Sequence, residues 1–265
     1  MRLEADWSEF EAEGARLRGY LARPAASTDP LPVAIVIQEA WGVDDHIRDV
    51  ADRLASAGYL AFAPDLYSRD RPPELAPQRI EAAKASLDTL PPGAWGDERA
   101  RAEALSSHPQ GKAIGETLGS IFAGLQREHH VRDLEAAVAH VRGRKDAAAA
   151  VVSIGFCMGG GLSAQLAASG AGLAVAVCFY GMPPGREEAQ RISCPLLGLY
   201  GGEDERITSQ VPAFVETMRD LGKPFEHHIY EGAPHAFFND TRPSYRVAAA
   251  RDAWARTLAL FAEHL

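Results

Sequence analysis

A cysteine at 157, an aspartate at 204 and a histidine at 235 follow one another along this chain in an order that suits acyl transfer. The cysteine stands in Gly155-Phe156-Cys157-Met158-Gly159, between an apolar run and an alanine-rich segment. Glycine two residues before and two after a nucleophile is the pattern of a strand-turn-helix elbow, where the central residue takes strained backbone angles and a side chain at either glycine would collide with the turn. A helix opening after the thiol offers unpaired N–H groups and a positive dipole end, which favour a thiolate, and the N–H of Met158 would point at an oxyanion on an attacked carbonyl. Taken alone, the stretch also suits a core cysteine in a glycine-rich turn.

The partners bear on that choice. Where a parallel sheet carries such chemistry, the nucleophile comes first, then the acid, then the histidine, the last two each just past a later strand. Asp204 follows the apolar run "PLLGLYGG", and His235 follows "FEHHIYEG" in "GAPH". His235 would take the proton from Cys157 and return it to the leaving group, while Asp204 fixes the imidazole tautomer. Asp204 also suits a turn or a helix cap before "ITSQVPAF", and Glu203 and Asp240 are acids in the same neighbourhood. His129-His130 and His227-His228 read as solvated or helix-surface pairs. No histidine stands at metal spacing from a cysteine or carboxylate, so neither a metal nor another cofactor is expected.

To bring these side chains together the chain needs strands that end on one edge. "PVAIVIQE" (32–39) has the β-branched apolar character of a strand buried on both faces, and "DDHIRDVADRLASAG" after it has helical spacing that ends at Gly58. The alternation continues through "YLAFAPD", "AVVSIGF", "GGLSAQLAAS", "AVAVCFYG", "PLLGLYGG", "SQVPAFVETMRDLG" and "FEHHIYEG", closing on the helical "SYRVAAARDAWARTLALFAEHL". This predicts an α/β fold with a mostly parallel central sheet and helices on both faces. An antiparallel strand is expected near "RLRGYLARP". Residues 68–126 break the rhythm with helices separated by proline and glycine, a helical insertion that either covers the site or pads the surface.

Composition sets outer bounds. A chain of 265 residues with 46% hydrophobic content can bury a full core, and one domain spanning 1–265 is expected. Its formal net charge is −9 with no basic block, so neither nucleic acid nor an anionic membrane is an expected partner. The acidic N-terminal stretch lacks the apolar core of a signal peptide, and no run approaches the roughly 18 apolar residues of a membrane span. Three cysteines (157, 178 and 194) suit free thiols in a reducing compartment, hence a cytoplasmic location. A monomer or small homo-oligomer is expected.

Glu39, in "QEAWGV" at the end of the first buried strand, needs an explanation, because a buried carboxylate is costly unless bonded or functional. With it the chain resembles the dienelactone hydrolase family of α/β-hydrolases: "QEAWGV" is similar to the family's glutamate motif, "APDLY" to its next strand end, "GFCMGG" to its cysteine elbow, "GGEDERI" to its acid loop and "APHAFF" to its histidine loop. The resemblance covers roughly residues 32–67 and 131–265. It implies a Cys157, Asp204 and His235 triad, a Glu39 that contacts the resting thiol until substrate displaces it, and Ala40 as second oxyanion donor beside Met158. The family's substrate-binding arginine four residues past the histidine is matched here by Asn239, and Arg101 resembles the local pattern of its other arginine. An acidic dienelactone is therefore not the expected substrate. Trp41, Tyr67, Tyr180, Phe237 and Phe238 suit an aromatic-lined pocket. The expected activity is cofactor-free hydrolysis of a lactone or small carboxylic ester through an acyl-cysteine. The rival readings are a ligand-binding or sensor protein without turnover and a redox thiol, the latter disfavoured by the lack of a Cys-x-x-Cys pair.

Overall fold

A computed structural model describes residues 1–27, 29–69, 71–89, 97–122 and 127–265. The first half holds β1 (Leu3–Ala12), β2 (Ala15–Pro24), β3 (Leu31–Ile37), α1 (Asp45–Ser56) and β4 (Leu60–Pro64), then α2 (Pro77–Asp88), α3 (Glu98–Ser106), α4 (Gly111–Phe122) and α5 (Arg127–Arg142). The second half holds β5 (Ala147–Phe156), α6 (Met158–Ala168), β6 (Val175–Phe179), α7 (Arg186–Arg191), β7 (Leu196–Gly201), α8 (Glu205–Thr208), α9 (Val211–Asp220), β8 (Phe225–Tyr230) and α10 (Val247–His264). The eight strands form one sheet in the order β1-β2-β4-β3-β5-β6-β7-β8. Only β2 runs against the rest, so β3 to β8 all finish on the same edge.

The alternating residues of β3 explain the layering. Val33, Ile35 and Ile37 face one core with Leu134, Ala137 and Val141 of α5 and Leu162 and Leu166 of α6. Ala34 and Val36 face the other, shared with Ile47, Val50 and Leu54 of α1 and Ala253 and Phe261 of α10. Successive side chains point to opposite faces of a strand, so a run apolar at every position demands a cover on both sides.

The insertion between β4 and α5 is helical where described; residues 70, 90–96 and 123–126 of the expected 68–126 excursion lie outside the described residues. It has a small core of its own, in which Leu75, Ile80, Leu87, Leu105, Ile114, Leu118 and Ile121 close over Trp41 and Tyr67. Two ion pairs fasten α2 to the sheet side: Lys84 to Asp44, the N-cap of α1, at 2.7 Å, and Arg242 to Asp88. Among the described residues no helix is long and apolar enough to cross a membrane.

Glycine is a steric requirement where α6 leaves β5. A Cβ on Gly159 would come within 2.4 Å of the Ile37 and Gln38 carbonyl oxygens, and one on Gly155 within 1.9 Å of the Gly159 carbonyl oxygen. These are backbone atoms, which cannot swing aside. Gly115, within α4, has open space around it. Gly159→Ala is therefore expected to lower stability in urea unfolding by about 3 kcal/mol, whereas Gly115→Ala raises it by up to about 1 kcal/mol through helix propensity.

Candidate active site

Cys157 sits between the last residue of β5 and the first of α6 with φ 55° and ψ −114°, a left-handed backbone that a residue with a Cβ rarely adopts. The turn is held from both sides. The Cys157 N–H donates to the Phe179 carbonyl on β6 at 3.0 Å, and the Cys157 carbonyl accepts from Gly160 N–H at 3.0 Å to start the helix. The sulfur is thus lifted above the sheet edge into a cavity of about 750 Å³. The other two cysteines lie within the core, where burial pushes the Cys178 thiol up to about 12 and the Cys194 thiol up to about 11. Both are poor nucleophiles by environment.

Asp204 and His235 reach the same edge from the loops after β7 and β8. The Asp204 carboxylate is buried and lies 2.5 Å from His235 Nδ1. Burial works against charge on the imidazole. The facing Cys157 sulfur and then the Asp204 carboxylate outweigh it, raising His235 to about 10. The imidazole is therefore poised between a sulfur and a carboxylate. Ala236, next to it, takes φ 59°, so the loop turns sharply at the histidine.

Glu39 follows β3 and is buried, and both of its carboxylate oxygens are bonded. Tyr180 donates its hydroxyl to Oε1 at 3.1 Å and Asn239 donates Nδ2 to Oε2 at 2.8 Å. Each carboxylate oxygen of Glu39 thus has a donor of its own. Tyr180 follows β6 with φ 39°, and its ring meets His235 edge-on at 5.1 Å between centroids. Ala40 and Met158 both border the cavity, and the Tyr67 hydroxyl donates to the Ala40 carbonyl at 3.1 Å, fixing that peptide. Burial and then negative neighbours, Cys157 at both phenols and Glu39 at Tyr180, push Tyr67 and Tyr180 up, so both remain neutral donors.

Of the aromatic residues expected in the wall, Tyr67 and Tyr180 border the cavity beside Cys157 and His235. Trp41 lines a separate cleft over α2 with Arg242 stacked at 5.4 Å on its ring, because the insertion packs across it. Phe237 and Phe238 are drawn into the ring cluster around Phe156 and Phe179 within the core. Arg101 lies 5.2 Å over the ring of Phe122, which is on the cavity wall while Arg101 is not. Of the His129-His130 pair, His129 keeps its helix-surface reading on α5 while bordering the cavity, and His130 departs from it, buried because the start of α5 packs against Tyr67. His227 and His228 lie on β8, a strand as expected and at the sheet edge, His227 exposed and His228 half-buried. Sequence reasoning passed over Asn239 as a glutamate partner. The one available signal was an uncharged amide close behind the histidine and not far from a buried acid.

Comparison with known proteins agrees with this architecture. Residues 17–265 match the model of the dienelactone hydrolase family. A Saccharolobus solfataricus protein, provisionally named carboxymethylenebutenolidase, is 37% identical over 93% of this chain and 94% of its own length. A similarly named protein of Escherichia coli K12 is 31% identical over 98% of this chain and 87% of its own. The crystal structure of a provisionally named dienelactone hydrolase from Klebsiella pneumoniae superposes with a TM-score of 0.76, at 29% identity and 99% coverage of both chains. A dienelactone hydrolase-like promiscuous phosphotriesterase from metagenomic libraries shares the fold, with a TM-score of 0.72, 21% identity and coverage of 100% and 99%.

The raised imidazole has a consequence for stability. A histidine whose folded value lies above the ordinary 6.5 or so favours the fold fully below that pH and loses the contribution as pH climbs toward its folded value of about 10. The urea midpoint should decline between pH 6.5 and 10. Alkylating Cys157 with iodoacetamide removes the largest influence that raises the imidazole, and should flatten the decline.

Proposed function

Because the chain belongs to the dienelactone hydrolase family, we propose that it hydrolyses a lactone or small carboxylic ester through an acyl-cysteine intermediate on Cys157. The observation that carries this reading is the placement of the sulfur on a left-handed turn at the cavity, facing an imidazole already bonded to a buried carboxylate. That is the order of parts that activates a nucleophile: a base beside it, and a third group that orients the base.

The cysteine sulfur adds to the substrate carbonyl carbon as an anion, its proton having passed to His235. Negative charge moves to the carbonyl oxygen, where the N–H groups of Met158 and Ala40 receive it. Collapse breaks the ester C–O bond, and His235 gives its proton to the departing alkoxide. Water then attacks the thioester carbonyl while His235 takes its proton, and the carboxylic acid leaves as the sulfur is expelled. Asp204 keeps Nδ1 of the imidazole in donor form throughout, which directs Nε2 to the sulfur. Amides should be poor substrates, since an amine leaving group requires fuller protonation than an alkoxide or enolate.

A panel of lactones and aryl esters, assayed with intact-protein mass spectrometry on rapidly quenched samples, checks both nucleophile and substrate class. Cys157→Ala should lower kcat/KM by about 10⁴-fold or more, and the acyl mass should appear on the peptide that carries residue 157. Binding without turnover by the unaltered protein would favour a ligand-binding role, and turnover that survives Cys157→Ala would remove the cysteine from the mechanism.

A further inference from the structure

The clamp on Glu39 extends past the carboxylate in both directions. On one side, Asn239 is fully buried and its amide has one orientation that satisfies every neighbour: Oδ1 accepts the Thr241 N–H at 3.1 Å and the Thr241 hydroxyl at 2.7 Å, which leaves Nδ2 for Glu39. The Asn239 N–H donates to the Ala236 carbonyl at 3.1 Å, so the amide is anchored in the same turn that carries His235. On the other side, the only polar atom of the Tyr180 side chain is the hydroxyl given to Glu39. Its backbone N–H is tied to Leu199 of β7 at 2.8 Å, and its ring is wedged between His235, at 5.1 Å, and Phe237, at 5.4 Å.

This arrangement leaves the carboxylate two donors, one on each oxygen, in a site closed to solvent. Hydrogen bonds to an ionised acceptor are about twice as strong as neutral ones, and a buried carboxylate short of a donor is expensive. Turning Glu39 toward the sulfur would break one of the two bonds. The carboxylate is thus placed to hold the Tyr180 ring.

We propose that Asn239 is a positioning residue of the hydrolytic site: by fixing Glu39 it fixes the Tyr180 hydroxyl, and the Tyr180 ring in turn sets the plane of the His235 imidazole between Cys157 and Asp204. The proposal rests on the reading of Cys157 and His235 as nucleophile and base. The effect is transmitted through geometry. Misplacing a reacting group by about 1 Å can cost on the order of 100-fold in rate, and with Asn239 gone Glu39 is free to rotate and release the ring.

Steady-state kinetics on an aryl ester that the unaltered protein turns over, with Asn239→Ala, Tyr180→Phe and the double variant, tests the chain of contacts. Each single change should lower kcat by about 100-fold with KM within about twofold. The double variant should be no slower than the slower single, since both substitutions act through one carboxylate. Should Asn239→Ala fail to fold, Asn239→Leu, of similar size but with no donor for Glu39, takes its place in the cycle. Unchanged kcat in the singles, losses that multiply in the double, or a loss carried mainly by KM would overturn the proposal while leaving the nucleophile in place. Turnover surviving Cys157→Ala would instead remove the reading on which it stands.

Discussion

The φ of 55° at Cys157 is the constraint around which the site is built. Left-handed backbone at a residue with a Cβ costs on the order of 1–3 kcal/mol and persists only where surroundings over-determine it. Here the surroundings are backbone: the Phe179 carbonyl receives the Cys157 N–H, while the carbonyls of Ile37 and Gln38 press against Gly159 and that of Phe179 against Gly160. Three adjacent strands, β3, β5 and β6, therefore meet at one turn with no side chain between them. That closeness pushes the sulfur up and out, and brings Ala40 and Met158 to the same cavity wall.

The charges follow from this placement. The Cys157 sulfur and the Asp204 carboxylate both act on the imidazole, which, penalised by burial, still holds its proton more tightly than a free histidine. Glu39 sits close by with its charge absorbed by two donors. Two carboxylates at one site thus have different partners: one faces the imidazole, and the other takes the Tyr180 hydroxyl and the Asn239 amide.

Much of the frame was legible in the chain. Apolar runs such as "PVAIVI" and "AVAVCFY" are readable because a strand covered on both faces leaves no polar position, and the glycines around Cys157 are readable because a turn of that hand has no room for a side chain. The first strand escaped notice. Its sequence "LEADWSEFEA" is mostly solvent-facing, since it is an outer strand with one neighbour, and the Glu13-Gly14 turn with positive φ at both residues is the sole local hint of the hairpin. Glu39 was recognisable as a costly acid, but its donors lie 141 and 200 residues away, beyond any local pattern. The burial of His130 depended on which side of α5 meets Tyr67, and a pair of adjacent histidines carries no such information.

The insertion's core is separate from the two that sandwich the sheet, and it touches the site through Tyr67 and Met158. The described part of this roof, with its own apolar interior, is pinned to the sheet side at Lys84 and Arg242. One wall of the cavity is thus built from apolar contacts that the sheet does not share, so its shape can change by substitutions that leave the packing beneath Cys157 as it is.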